Sequence, residues 1–521
     1  MGGWTSAWKS LQRRCPVRGS SVIVNVVSVL LLVLFISTSF QSPFSGQSQP
    51  AKHSTRRTLR GAAQGTFGAA EETFSPVDAD EKSYFEPWIR QDFAQWEKTG
   101  IKMSAVTEMA LRYRECFGEV FRFQIINGTL WVDHISERHS GWYPSRMGPG
   151  SLSAKGKIPY AILALMDTLR HHPGQIPDLD AVIQTSDFPC MLRQQPGSNA
   201  LPPPVFGYNS HARFVDIPFP DYTYWGHEYH RLVDEDGLLL FGWEKQFTLL
   251  SEKWKEMDIA SRVPQVVWRG RTEDKEYPKR DELRRQFARC GDELRREGLE
   301  EEAELFSLRK PEVQLHDLGN YRYLMYIESD AWVTNLKQKL ACGSVLMSNQ
   351  MEFFEFFTRA LKAGVHYIEV DSRNLCHDAA VKVKAMNAAI EKDSQEETVE
   401  EKDADSRRFL KETAQNYTEA PWEVGKAGQQ FLAEHVRMKD VRLYIRDALR
   451  QYASLQKFVP HTSWNAECYT GEMLLEQFGF PYAYDKQVVQ QAYPWLEKYG
   501  KTECEGKLSR RQVEKDDLYQ A

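Results

Sequence analysis

Residues 321–370 read YRYLMYIESDAWVTNLKQKLACGSVLMSNQMEFFEFFTRALKAGVHYIEV, and the types of element in this stretch alternate. An apolar run from Tyr323 to Ile327 leads into a helix-period stretch with Leu336 and Leu340 one turn apart. A Cys342-Gly-Ser344 break follows, then a second apolar run at Val345 to Met347. A β-branched and aromatic run closes the stretch at Val365 to Val370. Strands alternating with short helices predict a parallel sheet of the α/β class.

Two strand endings lie upstream. Ala181–Gln184 is a short apolar run that stops at Thr185-Ser-Asp-Phe-Pro189, where the proline prevents simple continuation in a central strand. Gln265–Trp268 likewise runs into Arg269-Gly-Arg-Thr272. Ligands of open α/β sheets bind outside the carboxyl ends of strands, so both loops are favoured by geometry alone. Arginine presents a planar fork of donors suited to phosphate, and Gly270 lets backbone come close to a bulky anion. A diphosphate is a natural ligand for such a loop; a pair of surface arginines beside a strand end is the alternative. Asp187 can be a reacting carboxylate, or a turn residue that caps its own backbone.

The ends of the chain bound the setting. Of 521 residues, 42% are hydrophobic and 26% charged, enough for a large core and more than one folding unit; the formal charge of −6 gives no reason to expect nucleic acid. Val22–Phe40 is uncharged and about the length that crosses a bilayer, and Lys9, Arg13, Arg14 and Arg18 precede it. Positive charge favours the cytoplasmic side, so residues 1–21 are expected as a cytosolic tail, 22–40 as a transmembrane signal anchor and 41–80 as a flexible, Ser/Gln/Gly-rich stem. A cleaved signal peptide is the competing reading. Asn127-Gly-Thr129 and Asn416-Tyr-Thr418 then fit luminal glycosylation acceptors. Eight cysteines stand singly, without paired zinc spacing. With Cys15 cytosolic, seven remain in an oxidising lumen and at least one is unpaired; Cys342 is expected to pack between helix and strand. Glu391–Asp405 holds eight acidic and two basic residues and marks a solvated insertion at about 388–420. Helical spacing of Val441, Tyr444, Ala448, Tyr452 and Leu455 predicts an amphipathic helix over Lys439–Leu455.

The pieces YRYLMYIE, Ala331-Trp332, Lys337, Ala341–Ser344, Phe353–Phe357 and Val365–Ile368 together resemble glycosyltransferases of family 90, a group that includes protein O-glucosyltransferases and fungal capsule-associated xylosyltransferase-type proteins. The resemblance runs from about Arg112 to about Phe458. It implies a GT-B-like fold, two Rossmann-like domains facing a cleft: residues 81–260 on the acceptor side and 261–458 binding a UDP-sugar, with 459–521 as a C-terminal extension. Asp187 resembles the family's catalytic base, in an Asp-aromatic-Pro motif. Arg269, Gly270 and Arg271, with Arg280-Asp281 after a gap longer than the family's, resemble its nucleotide loop. Glu328, Lys337 and Ser344 match recurring donor-side positions, and Asp221 and Trp225 lie in what looks like its aromatic segment, Ile217–Gly226. Where the animal glucosyltransferases carry an arginine two residues before the lysine, this chain has Asn335, and with Ala331-Trp332 it looks closer to plant and fungal members.

The resemblance thus implies an inverting enzyme that moves glucose or xylose from a UDP-sugar to a protein Ser/Thr or glycan hydroxyl. It would need no cofactor and no metal, and would be a single-pass type II protein of the Golgi or endoplasmic reticulum membrane. The Asp-x-Asp pairs at 78/80, 178/180, 234/236 and 403/405 do not end a convincing strand beside the nucleotide loop. No phosphate-loop, nucleophile-elbow or His-Glu-x-x-His motif is present. The rival reading is a luminal carbohydrate-binding or quality-control protein that keeps the fold without turnover.

Overall fold

A computed structural model describes residues 80–111, 116, 120–133, 152–193, 201–226, 242–255, 257–272, 282–308, 313–329, 331–396, 421–462, 466–478 and 483–506. The 22–40 segment, the stem before residue 80, Arg280, Asp281 and Asn416 lie outside them. Among the described residues no helix is long and apolar enough to cross a membrane.

The chain is mixed α/β, with its strands in two larger sheets and one small one. In chain order the strands are β1 (Val120–Ile126), β2 (Thr129–Asp133), β3 (Leu179–Gln184), β4 (Phe206–Gly207), β5 (Ser210–His211), β6 (Ile217–Pro218), β7 (Val263–Val267), β8 (Phe306–Ser307), β9 (Tyr321–Tyr326), β10 (Val345–Ser348), β11 (Phe353–Phe354), β12 (Ile368–Glu369) and β13 (Ala466–Cys468). The first sheet has the order β13-β2-β1-β3-β4-β6, the second β12-β10-β9-β7-β8. Every pairing in the second sheet is parallel. With β7 to β10 and then β12 counted one to five, its order is 2-1-3-4-5, a doubly wound arrangement whose switch point lies between β7 and β9.

The alternation expected over 321–370 is present, and both faces of β9 and β10 are covered. Tyr323, Met325, Val345 and Met347 join Leu375, Ala379 and Val383 of the helix Leu375–Glu396 in one buried cluster. Leu324, Tyr326 and Leu346 point the other way into the main core. Period-two side-chain alternation makes both faces apolar when helices cover both, as in parallel sheets generally. Gly343 adopts φ 64° just after the helix Leu336–Ala341, a left-handed residue that lets the chain turn into β10. The Val365–Val370 run is a strand only at Ile368–Glu369.

The first half departs from a parallel Rossmann sheet. β1 is antiparallel to both β2 and β3, and β13 is antiparallel to β2. The reason is local: Asn127 at φ 50° and Gly128 at φ 73° form a two-residue turn that can only return the chain antiparallel. Arg122 of β1 crosses to Asp180 of β3 with bonds of 2.8 and 2.6 Å, a buried bidentate pair inside the sheet. Asp178 accepts the Asn127 amide at 2.7 Å, so this Asp-x-Asp pair is committed within the sheet.

The helix Met438–Leu455 matches the expected amphipathic element and packs on the first half. Its Tyr452 hydroxyl donates to Asp180 O, Tyr444 to Pro218 O, and Arg442 to Asp167 on the helix Leu152–His171. β13 likewise adds residues beyond 458 to the first sheet's edge.

Disulfides join Cys116 to Cys190, Cys290 to Cys376 and Cys468 to Cys504. Cys342 is free and buried, its thiol donating to Gln338 O at the end of the helix that precedes β10. We expect a maleimide added to the denatured, unreduced fragment from residue 73 onward to label one thiol, mapping to Cys342. Labelling at Cys290 or Cys376 would refute that pairing.

Candidate active site

The chain leaves β3 at Gln184 and enters a loop wired almost entirely to itself. Ser186 N donates to the Gln184 side chain at 2.8 Å, Phe188 N donates to Ser186 Oγ, and Gln184 Nε2 donates to Phe188 O. Asp216 closes the far end, accepting the amides of Cys190 at 2.9 Å and Met191 at 2.8 Å, while the Cys116 disulfide ties the same residue 190. Burial pushes the Asp216 carboxyl up to about 7 in spite of these donors. Within this frame the Asp187 side chain is 63% exposed and its Oδ1 accepts a 2.7 Å bond from Lys157, whose own side chain is only 3% exposed. Asn209 Nδ2 donates to the Asp187 carbonyl at 2.9 Å.

Phe188 packs edge-on against Phe214 and Phe353, with centroids 5.6 and 5.7 Å away. Phe353 belongs to β11, which pairs antiparallel with β5 of the first half. Glu328, just past β9, accepts the amides of Glu352 and Phe353, each at 3.0 Å. β5 and β11 therefore pair close to the Asp187 loop. Burial raises the Glu328 carboxyl to about 7, against the pull of those two amides.

Arg269, Gly270 and Arg271 follow β7, so this loop and Glu328 sit at the carboxyl ends of the two strands that flank the switch point. Arg269 is partly buried and donates to Trp268 O, to Ser307 O and to Ser307 Oγ. Gly270 is needed for packing: a Cβ there would stand 2.4 Å from the Trp268 ring. Arg271 has an exposed side chain, and its carbonyl accepts from Arg284 Nη1 at 3.3 Å.

The other candidates are interior. Lys337 and Asp221 have 0% exposed side chains and pair at 3.3 Å. The same ammonium reaches Thr223 Oγ1 and lies 4.3 Å from the centre of the Tyr224 ring. Glu355 is wholly buried nearby; burial first, opposed by Lys337 and reinforced by Asp221, holds its carboxyl well above the carboxylate range. Trp225 is fully buried and donates from Nε1 to Asp167 at 3.1 Å. Ser344 is 1% exposed; its hydroxyl donates to Tyr321 O and accepts from Arg262, both at 2.8 Å. As placed, Trp225 and Ser344 are packing residues with their polar atoms committed. Neither offers a face to a ligand, because the elements around them close over both.

Residues 79–405 and 399–494 match the sequence profile of glycosyl transferase family 90. The chain belongs to that family. As a member of glycosyltransferase family 90 it is a glycosyltransferase enzyme. It is 24% identical over 378 residues to O-glucosyltransferase rumi of Drosophila melanogaster, covering 71% of this chain and 76% of that one. It is 23% identical over 299 residues to Protein O-glucosyltransferase 1 of Homo sapiens, covering 55% and 64%, and 24% identical over 286 residues to the O-glucosyltransferase rumi homolog of Aedes aegypti, covering 54% and 63%.

Lys157, Asn209, Asp216, Arg262 and Glu355 were not legible as part of this family 90 site. Lys157 stands 30 positions before its partner, and no local spacing marks it. Arg262 lies on the near side of β7, away from the loop that the strand's ending pointed to.

Replacing Lys337 by Met leaves Asp221 buried without its cation. We expect a loss of about 3–5 kcal/mol in unfolding free energy, read by urea denaturation, and partial recovery in Lys337→Met/Asp221→Leu. A single variant as stable as wild type would show that the pair does not hold the halves. For Glu328 the sign is set by a folded-state value near 7 against an ordinary 4.5. Between these values folding takes up a proton, so the stability of wild type relative to Glu328→Gln falls as pH rises from about 4.5 to 7 and is flat on either side. Urea midpoints at stepped pH test this; a difference that grew with pH would contradict it.

Proposed function

We propose that the enzyme transfers glucose or xylose from a UDP-sugar to a hydroxyl of a protein Ser or Thr or of a glycan, with inversion and without metal. The observation that carries this reading is the chemistry of two strand-end loops, one after β3 and one after β7. One presents an exposed carboxylate, Asp187, anchored through a single oxygen; the other presents arginines at a doubly wound switch point.

In this reading the acceptor oxygen attacks the anomeric carbon as the bond from that carbon to the diphosphate oxygen breaks. The bond's electrons leave with UDP, and the hydroxyl proton passes to Asp187. Arg271, with Arg269 and Arg280 of the same motif, neutralises the developing diphosphate charge. The lysine of the family motif, Lys337, acts from inside by holding Asp221. The names of the relatives favour a protein acceptor and glucose, and Asn335 in the place of the animal arginine keeps xylose in the reading. Three disulfides fit an oxidising compartment, so we assign the region after residue 41 to the lumen of the Golgi or endoplasmic reticulum, with 22–40 as a single type II anchor and Asn127 on its exposed turn glycosylated.

The test follows UDP release from a panel of UDP-sugars in EDTA. One sugar should release UDP. Asp187→Asn should lose most of that turnover and bind UDP as wild type does, whereas Arg271→Ala should weaken UDP binding about tenfold by removing one charge-assisted contact. Full turnover in Asp187→Asn would remove the base assignment; release abolished by EDTA and restored by a divalent cation would remove the metal-free one.

A further inference from the structure

We infer that Lys157 is a positioning residue for the reaction: it holds Oδ1 of Asp187 so that Oδ2 faces the acceptor hydroxyl. This rests on the reading of Asp187 as the base. The argument starts from the asymmetry of the pair, a lysine 3% exposed against a carboxylate 63% exposed at 2.7 Å. An ordinary surface ion pair leaves both groups in water, and a buried ammonium is costly unless its position is useful.

The cation is fixed from several sides. Its stem lies within the helix Leu152–His171, and its carbonyl accepts the Tyr208 hydroxyl at 3.1 Å. Its ammonium sits 5.3 Å from the centre of the Tyr222 ring, whose face favours a cation. Tyr208 is followed by Asn209, which holds the Asp187 carbonyl. Backbone and carboxylate of Asp187 are thus gripped by neighbouring groups on rigid supports. Among the described residues none hydrogen-bonds Oδ2. An exposed aspartate is otherwise free to rotate about two torsions, and a base that must meet a hydroxyl in line with a sugar carbon loses rate when its geometry wanders.

Lys157 touches neither donor nor acceptor in this arrangement, so its effect should fall on turnover alone. With the full chain in detergent and UDP release from UDP-glucose or UDP-xylose as the readout, Lys157→Met should lower kcat about 10- to 100-fold and leave the donor KM and UDP affinity within about twofold. Lys157→Arg, which keeps a cationic donor, should recover to within about fivefold of wild type. In an Asp187→Asn background, Lys157→Met should cost less than about twofold more, since it acts through a carboxylate already gone.

Wild-type kcat in Lys157→Met while Asp187→Asn is inactive would overturn this inference and leave the base assignment standing. Full activity in Asp187→Asn would overturn both. A loss from Lys157→Met as large in the Asp187→Asn background as alone would overturn it too. If Met at 157 prevents folding, Lys157→Gln decides: a loss of about tenfold or more with UDP affinity kept supports the role, and an unchanged kcat refutes it.

Discussion

A lysine and an aspartate with no exposure to water join the helix before β10 to the segment that follows β6. Lys337 belongs to the short helix of the second half and Asp221 to the aromatic segment of the first. Leaving either charge buried alone would cost about 3–5 kcal/mol, a large share of a typical protein's stability, so the fold keeps the two together. Thr223, the Tyr224 ring and Glu355, whose carboxyl burial holds well above the carboxylate range, surround the pair. Specificity of pairing follows: a shifted orientation of the halves would leave a bare charge in the interior.

That cluster is continuous with the candidate site. Tyr222, one residue from Asp221, lies beneath the ammonium that holds Asp187. Glu355 directly follows β11, the strand that crosses to β5 beside Phe188. The segments after β3 and β10 share one device, a carboxylate accepting two successive backbone amides: Asp216 for Cys190 and Met191, Glu328 for Glu352 and Phe353. Each leaves its loop with the amides satisfied and little freedom to move.

The family motif in this chain is largely a motif of packing. Ser344 and Trp225 spend their polar atoms on Arg262, Tyr321 O and Asp167, and Gly270 makes room for the Trp268 ring. Recurrence of a polar residue is as readily a sign of an interior hydrogen bond as of a ligand contact, because an interior polar atom without its partner is costly. Among the described residues, Asp187 and Arg271 are the matched positions whose side chains are open to solvent.

Local pattern was enough for the two central strands of the second sheet and the helix between them. The runs at 323–327 and 345–347, the helix at 336–340, the endings at Gln184 and Trp268, and the helix ending at Leu455 could be read from apolar spacing and breakers, since each depends on a few successive side chains choosing a face. The antiparallel start of the first sheet was written locally too, in Asn127-Gly128, although it went unread beside the parallel pattern that follows. The order of the strands, the burial of Ser344 and Trp225, and the partners of the charged groups belong to tertiary structure alone. Asp187 is held from 30 positions away and Asp221 from 116. No short-range preference reaches that far; which charge is buried and which is exposed is decided when the elements pack, because only then does water leave one and stay with the other.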